Sequence, residues 1–259
     1  MNKRLKAVKD RVKLIKSSSP KYLEWEEISS RNIMVTADWH IPYFSELWVE
    51  RMLMIAKIKK CKDLIVGGDF YQLDTFTGHK DVNPNDKFET TLAEGGYLLN
   101  QCMKQFDRII ISKGNHDQWI EHFTEGKIKW KTLFECLHVD KDAFRKKVRL
   151  SNYPYLILNS KWRITHPKNY SQIKGSVANK LCDKYHLNII NAHGHYLSRG
   201  WSRSSQYEVI DVGGLFDREK MRYVMLSDTT HPTWNNGFVT VIDDYSELWG
   251  DHTNWGKIL

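Results

Sequence analysis

Five short clusters of carboxylate, amide and imidazole residues follow one another along the chain: Asp38-Trp39-His40, Gly68-Asp69, Gly114-Asn115-His116-Asp117, His166 and His193-Gly194-His195. Singly each says little, because a GD after a strand is often a turn and Asn is a common turn former. Together they offer two Asp, one Asn and four His, with His116 left over. Carboxylate, amide oxygen and imidazole are the donors that suit a hard or borderline divalent cation. The set is large enough for two adjacent ions, with a carboxylate such as Asp69 shared between them at the ~3.5–4 Å spacing of two-metal sites.

Such residues act together only if the fold brings them to one place, and the intervening sequence predicts that it does. Asn32–Ala37, Asp63–Val66 and Arg108–Ser112 read as buried strands, each running into one of the clusters. Ser45–Lys60, roughly Asp86–Gln105 and the stretch around Gln118–Phe123 read as helices. This alternation predicts an α/β protein with a largely parallel first half, whose chemistry gathers beyond the carboxyl ends of the strands. In the second half, Tyr155–Leu158 and Lys161–Thr165 predict a hairpin around Asn159-Ser160, Ile173–Tyr185 a helix and Leu187–Asn191 a strand. Tyr207–Val212, Gly237–Ile242 and a run near Trp249–Ile258 predict antiparallel strands. The order fits a four-layer α/β/β/α sandwich, two mixed β-sheets flanked by helices.

The 259 residues suffice for one large domain or one domain with an appendage. Residues 1–21 hold eight Lys/Arg against one acid, so nearly all of the net charge of +8 sits there. Leu5, Val8, Val12 and Ile15 recur at helical spacing. The expected organisation is a basic helical arm over 1–21 and a catalytic domain over 22–259. An arm of this charge suits a phosphate backbone or an acidic surface. No apolar run approaches the roughly 20 residues of a membrane helix, which excludes an integral helical membrane protein. The basic N-terminus lacks the apolar core of a secretory signal. The four scattered cysteines form no CxxC pair, so a disulfide framework is not expected and a cytoplasmic location is.

Read in order, the blocks DWH, GGD, GNHD, THP and AHGH resemble the pattern of the calcineurin-like metallophosphoesterase superfamily: D-x-H, G-D, G-N-H-[D/E], a lone His and G-H-x-H. The resemblance spans residues 32–195, and Ala192 stands where the family usually has Gly. It implies two divalent metal ions, manganese first, with iron, zinc, nickel and magnesium as alternatives. Asp38, His40 and His195 would hold one ion, Asn115, His166 and His193 the other, with Asp69 bridging. His116 would be catalytic rather than a ligand, facing the scissile phosphate, with Asp117 steadying its imidazole. Metal-bound water then loses a proton near neutral pH and attacks phosphorus in line. The leaving oxygen needs a proton or positive partner, which a His can provide.

The loop after Asp69 reads GDFYQLDTFTGHK and lacks the Arg that protein Ser/Thr phosphatases carry there. Gln72 also stands where purple acid phosphatases have Tyr. The remaining expectation is a phosphodiesterase in the style of the repair nucleases, acting on DNA and drawn to it by the basic arm, Lys113 and the Lys127–Lys131 stretch. Without the long C-terminal extension of those nucleases, a stand-alone phage or bacterial enzyme fits best. Trp39, Trp119, Trp201 and Trp234, in or near the loops, are candidates to stack bases, and His79 is a further candidate substrate contact. The alternatives are a hydrolase of small or cyclic nucleotides, or a nucleic-acid-binding protein with a structural metal site.

Overall fold

The computed structural model describes residues 26–77, 87–221 and 233–258. The basic arm and His79 lie outside these residues. The chain builds two six-stranded mixed sheets packed face to face, with helices on their outer sides.

The first sheet contains β2 (Asn32–Thr36), β3 (Asp63–Val66), β4 (Arg108–Ser112) and β5 (Val148–Ser151), all parallel. At its other edge β11 (Gly237–Ile242) and β12 (Tyr245–Gly250) add antiparallel, giving the order β12-β11-β2-β3-β4-β5. The second sheet contains β1 (Glu26–Ile28), β6 (Tyr155–Leu158), β7 (Trp162–Thr165), β8 (Asn188–Asn191), β9 (Leu197–Trp201) and β10 (Glu208–Val212), in the order β1-β6-β7-β8-β10-β9.

Successive residues of the central strands point to opposite faces, and both faces are buried, which is why the strands read as unbroken apolar runs. Ile33, Val35, Ile65, Ile110, Val239 and Val241 meet Leu156, Leu158, Trp162, Ile164, Ile190 and Ile210 between the sheets. Met34, Leu64, Val66, Ile109, Ile111 and Phe238 face the other way. They pack under α1 (Glu46–Ile58), α2 (Phe88–Gln105), α4 (Trp130–Glu135) and α7 (Trp255–Ile258). On the far side α6 (Ser176–Tyr185) covers Ile189 and Val209 with Ala178 and Cys182.

Two short helices, α3 (Trp119–Phe123) and α5 (Lys141–Lys147), complete the chain order. The run expected as a last strand near Trp249–Ile258 is corrected. The strand is β12, paired to β11 through a two-residue turn at Asp243-Asp244, both at positive φ, the left-handed pair that tight hairpins require. After Gly250 the chain turns into α7 instead. The helix expected from Ile173 begins at Ser176, because Gly175 holds a positive φ at its N-cap.

Candidate metal centre

The parallel strands β2, β3 and β4 end side by side, and β7 and β8 end at the same edge of the opposite sheet. Each of these five ends carries one cluster. Backbone hydrogen bonds knit the loops together: the N–H of Asp38 donates to Gly68 O at 3.0 Å, and those of Trp39 and His40 to Asp69 O at 2.9 and 3.1 Å. Asp38, His40, Asp69, His193 and His195 all hold positive φ, from 48° to 73°. For side chains with a Cβ this conformation costs about 1–3 kcal/mol each and persists where the surroundings over-determine it, typically at functional sites. Two glycines make room for the convergence. A Cβ on Gly68 would lie 2.5 Å from His166 Nδ1, and one on Gly114 2.1 Å from Asp69 Oδ1.

The donor atoms face one another. His40 Nε2 and His195 Nε2 are 2.9 Å apart, and Asp38 Oδ1 lies 3.2 Å from His195 Nε2 and 3.7 Å from His40 Nε2. Asp69 Oδ2 lies 3.1 Å from His166 Nε2 and 4.0 Å from His116 Nε2. His166 Nε2 also lies 2.9 Å from Asn115 Oδ1. Among the described residues three sets bring their ligand atoms within 4.8 Å of one another: Asp38, His40 and His195; His40, Asp69 and His116; and Asp69, His166 and His193. Asp69 belongs to two of them.

These residues fit divalent cations. Asp38 Oδ1 and Asp69 Oδ2 are fully buried and accept no hydrogen bond, although imidazoles stand beside them. Outer contacts set the ring tautomers. Nδ1 of His166 lies 3.0 Å from Gly67 O, and Nδ1 of His116 3.2 Å from Gln72 O. A carbonyl can only accept, so each Nδ1 carries the proton and Nε2 is left toward the site, which for His166 is how metal-ligating histidines are held.

The charges lead to the same conclusion. Burial alone would raise the Asp38 carboxyl, but the imidazoles of His195 and His40 outweigh it and hold the group well below its usual range. Asp69 is likewise lowered against burial by His166 and His116. In return His166, although burial opposes its charge, is carried up to about 9 by Asp69. Burial pushes His116 down to about 3 and His193 down to about 4. Without a cation, then, His166 carries a proton beside the two carboxylates, and the carboxylates raise His40 in the same direction against burial.

Not every expected residue belongs here. Trp39 is corrected: it is fully buried, with Nε1 donating to Thr36 Oγ1 at 2.9 Å, so it offers no face to a base. Lys113 is tied to Glu121 at 3.0 Å and mostly buried, not extended toward substrate. Trp201 is exposed but pairs with Glu208 at the start of β10, the end of the sheet away from the site. Asp117 is corrected in role. Its oxygens accept the N–H of Gly114 at 2.8 Å and of Tyr71 at 3.1 Å, so it braces the loop while the Gln72 carbonyl holds the His116 ring. Burial, with the Asp69 charge adding, raises its carboxyl to about 7.

Several contributors hold roles that the sequence did not signal. Gln72 acts through its main-chain oxygen, and its amide favours the protonated form of His40. Phe216 and Trp234 pack their rings against His195, with centroids at 4.7 and 4.4 Å. Trp234 had stood out only as one of several tryptophans near loops.

Residues 31–254 match the family model described as calcineurin-like phosphoesterase. No curated protein sequence matches the chain significantly. Similar solved structures include a novel archaeal phosphodiesterase, 12% identical with a TM-score of 0.43, covering 85% of this chain and 99% of that one. Another is Yfce, a phosphoesterase from E. coli, 13% identical with a TM-score of 0.41, covering 83% and 90%. A third is the Pseudomonas putida nuclease MPE, 12% identical with a TM-score of 0.36, covering 84% and 86%.

Proposed function

The chain belongs to the calcineurin-like phosphoesterase family, and on that premise we propose that it hydrolyses phosphodiester bonds of DNA with two divalent metal ions, manganese first. The observation that carries the reading is the position of Asp69. It belongs to two ligand sets, with His40 and His116 in one and His166 and His193 in the other, where Asn115 Oδ1 stands 2.9 Å from His166 Nε2; His40 in turn belongs to the set of Asp38 and His195. The bound ions supply Lewis-acid polarisation of the phosphoryl oxygens and a water acidic enough to ionise near neutral pH. The donors include no thiolate; their carboxylate and amide oxygens suit manganese or magnesium, and their imidazoles zinc, iron or nickel.

His116 acts on the transferring group. Its Nδ1 proton is directed to the Gln72 carbonyl, so Nε2 is the atom turned toward the site. To protonate a leaving oxygen it must first take up a proton at Nε2, which burial opposes and the Asp69 charge favours. Asp117 is a positioning residue, holding Gly114 and Tyr71 so that Asn115 and His116 keep their places.

DNA is supported by the charge of residues 1–21, which hold eight Lys/Arg and one acid. The test is incubation of manganese-loaded protein with end-labelled single- and double-stranded DNA, RNA and bis-p-nitrophenyl phosphate. Cleavage of DNA that EDTA abolishes is expected. Turnover of only the small diester or of cyclic nucleotides would replace DNA by a small nucleotide as substrate. No turnover of any phosphoester by fully loaded protein would leave a structural metal site.

A further inference from the structure

We propose that Trp119, Phe123 and Phe76 form an aromatic wall beside His116 that stacks an unpaired base of the substrate, on the leaving side of the scissile phosphate; this rests on the DNA phosphodiesterase reading above. The Trp119 ring lies against the His116 imidazole, with centroids 4.0 Å apart and planes at 38°. Trp119 and Phe123 are one turn apart on α3, so both side chains lie on one face of the helix. Phe76 closes the wall, meeting Phe123 at 5.6 Å and Phe88 at 5.2 Å, both edge to face.

The wall is anchored at one end and open at the other. Phe76, Phe88 and Trp119 pack partly into the core under the first sheet, whereas Phe123 is 65% exposed. A single exposed apolar side chain is ordinary on a protein surface. Here, though, the exposed ring shares a helix face with Trp119, whose ring lies against a candidate catalytic imidazole. The aromatic residues on the opposite side of the site differ. Phe216 and Trp234, which pack on His195, are buried and leave no open ring face for a base. Stacking suits the substrate chemically because every base has a π face, whereas phosphate recognition alone carries no preference for bases. A duplex base is already stacked on its neighbours, so the wall favours single strands and frayed ends.

The experiment compares KM for a short single-stranded oligothymidylate with KM for the same strand carrying one abasic tetrahydrofuran residue at the cleaved step. For the unaltered protein the abasic strand is expected to show a KM about tenfold higher, the effect of one lost stacking contact. Phe123→Ala should bring the two KM values within about twofold of each other, and Phe123→Tyr, which keeps the ring, should restore the difference. Because Phe123 is mostly exposed, the alanine variant is expected to fold, which circular dichroism checks. Tyr97→Ala, a change on an exposed ring of α2, should preserve the difference. Equal KM values for the unaltered protein, or a difference that survives in Phe123→Ala, would overturn the wall while leaving the nuclease reading intact. Cleavage of neither strand by protein that turns over bis-p-nitrophenyl phosphate would remove the DNA reading itself, and the wall with it.

Discussion

Asp69 faces His116 with both carboxylate oxygens: Oδ1 accepts the His116 backbone N–H at 2.9 Å, and Oδ2 stands 4.0 Å from its Nε2, too far for a hydrogen bond. One side chain thus joins the end of β3 to the loop after β4, between the two ligand sets. Its charge and its hydrogen bonds can be separated experimentally.

Asp69→Asn keeps the shape and an acceptor oxygen for the His116 N–H but removes the shared negative charge. Both metal affinities are expected to fall, by at least the 10–100-fold typical of lesser outer contacts. Titration calorimetry with manganese measures this. Loss of affinity at one site only would assign Asp69 to a single ion.

His116→Asn should retain both metals and lose about 10²–10⁴-fold in kcat, the usual contribution of general acid–base catalysis. A nitrophenolate leaves without protonation, so the loss should be smaller for bis-p-nitrophenyl phosphate than for a nucleotide diester. Equal losses would mean that His116 orients phosphate instead of delivering a proton. Loss of a metal ion would make it a ligand.

Metal-free protein should lose stability as pH rises from about 6.5 to 9. The folded His166, raised to about 9 by Asp69 against the opposing effect of burial, binds its proton more tightly than the unfolded chain does near 6.5. That contribution is complete below 6.5 and disappears as pH passes through 9. His40 is raised too, against burial by the neighbouring carboxylates, and acts in the same direction. Metal competes with these protons, so its affinity should rise over the same range. Melting temperatures in EDTA and in manganese measure both effects. A metal-free melting temperature that climbs toward pH 9 would contradict the charge assignment.

Deleting residues 1–20 should spare hydrolysis of bis-p-nitrophenyl phosphate and weaken binding to long DNA. The segment carries seven of the eight Lys/Arg in residues 1–21. Each phosphate contact removed should flatten the logarithmic salt dependence by about 0.9. An unchanged affinity and salt slope, measured by fluorescence anisotropy, would assign the arm no part in binding DNA.

The sandwich was legible because β2, β3 and β4 are buried on both faces, so Ile33–Val35, Leu64–Val66 and Ile109–Ile111 read as continuous apolar runs. The candidate metal centre was legible because three of its clusters directly follow such strands and the other two follow β7 and β8. Other parts were hidden for physical reasons. β1, β5, α4 and α5 are three to seven residues long, too short for periodicity to declare itself. The Gln72 carbonyl that orients His116 is a main-chain atom, on which residue identity is silent. Lys113 looked available for substrate because its partner Glu121 lies across a turn eight residues on. Trp39 looked like a loop residue because it sits between two ligands, yet the left-handed backbone at Asp38 and His40 turns its ring into the core.

The shared position of Asp69 is tested most directly by anomalous diffraction from crystals of the protein grown with manganese. Two peaks about 3.5–4 Å apart are expected on either side of the Asp69 carboxylate, the spacing of two-metal sites. One should lie against Asp38, His40 and His195, the other against Asn115, His166 and His193. A single peak, or manganese bound away from Asp69, would contradict the two-ion centre.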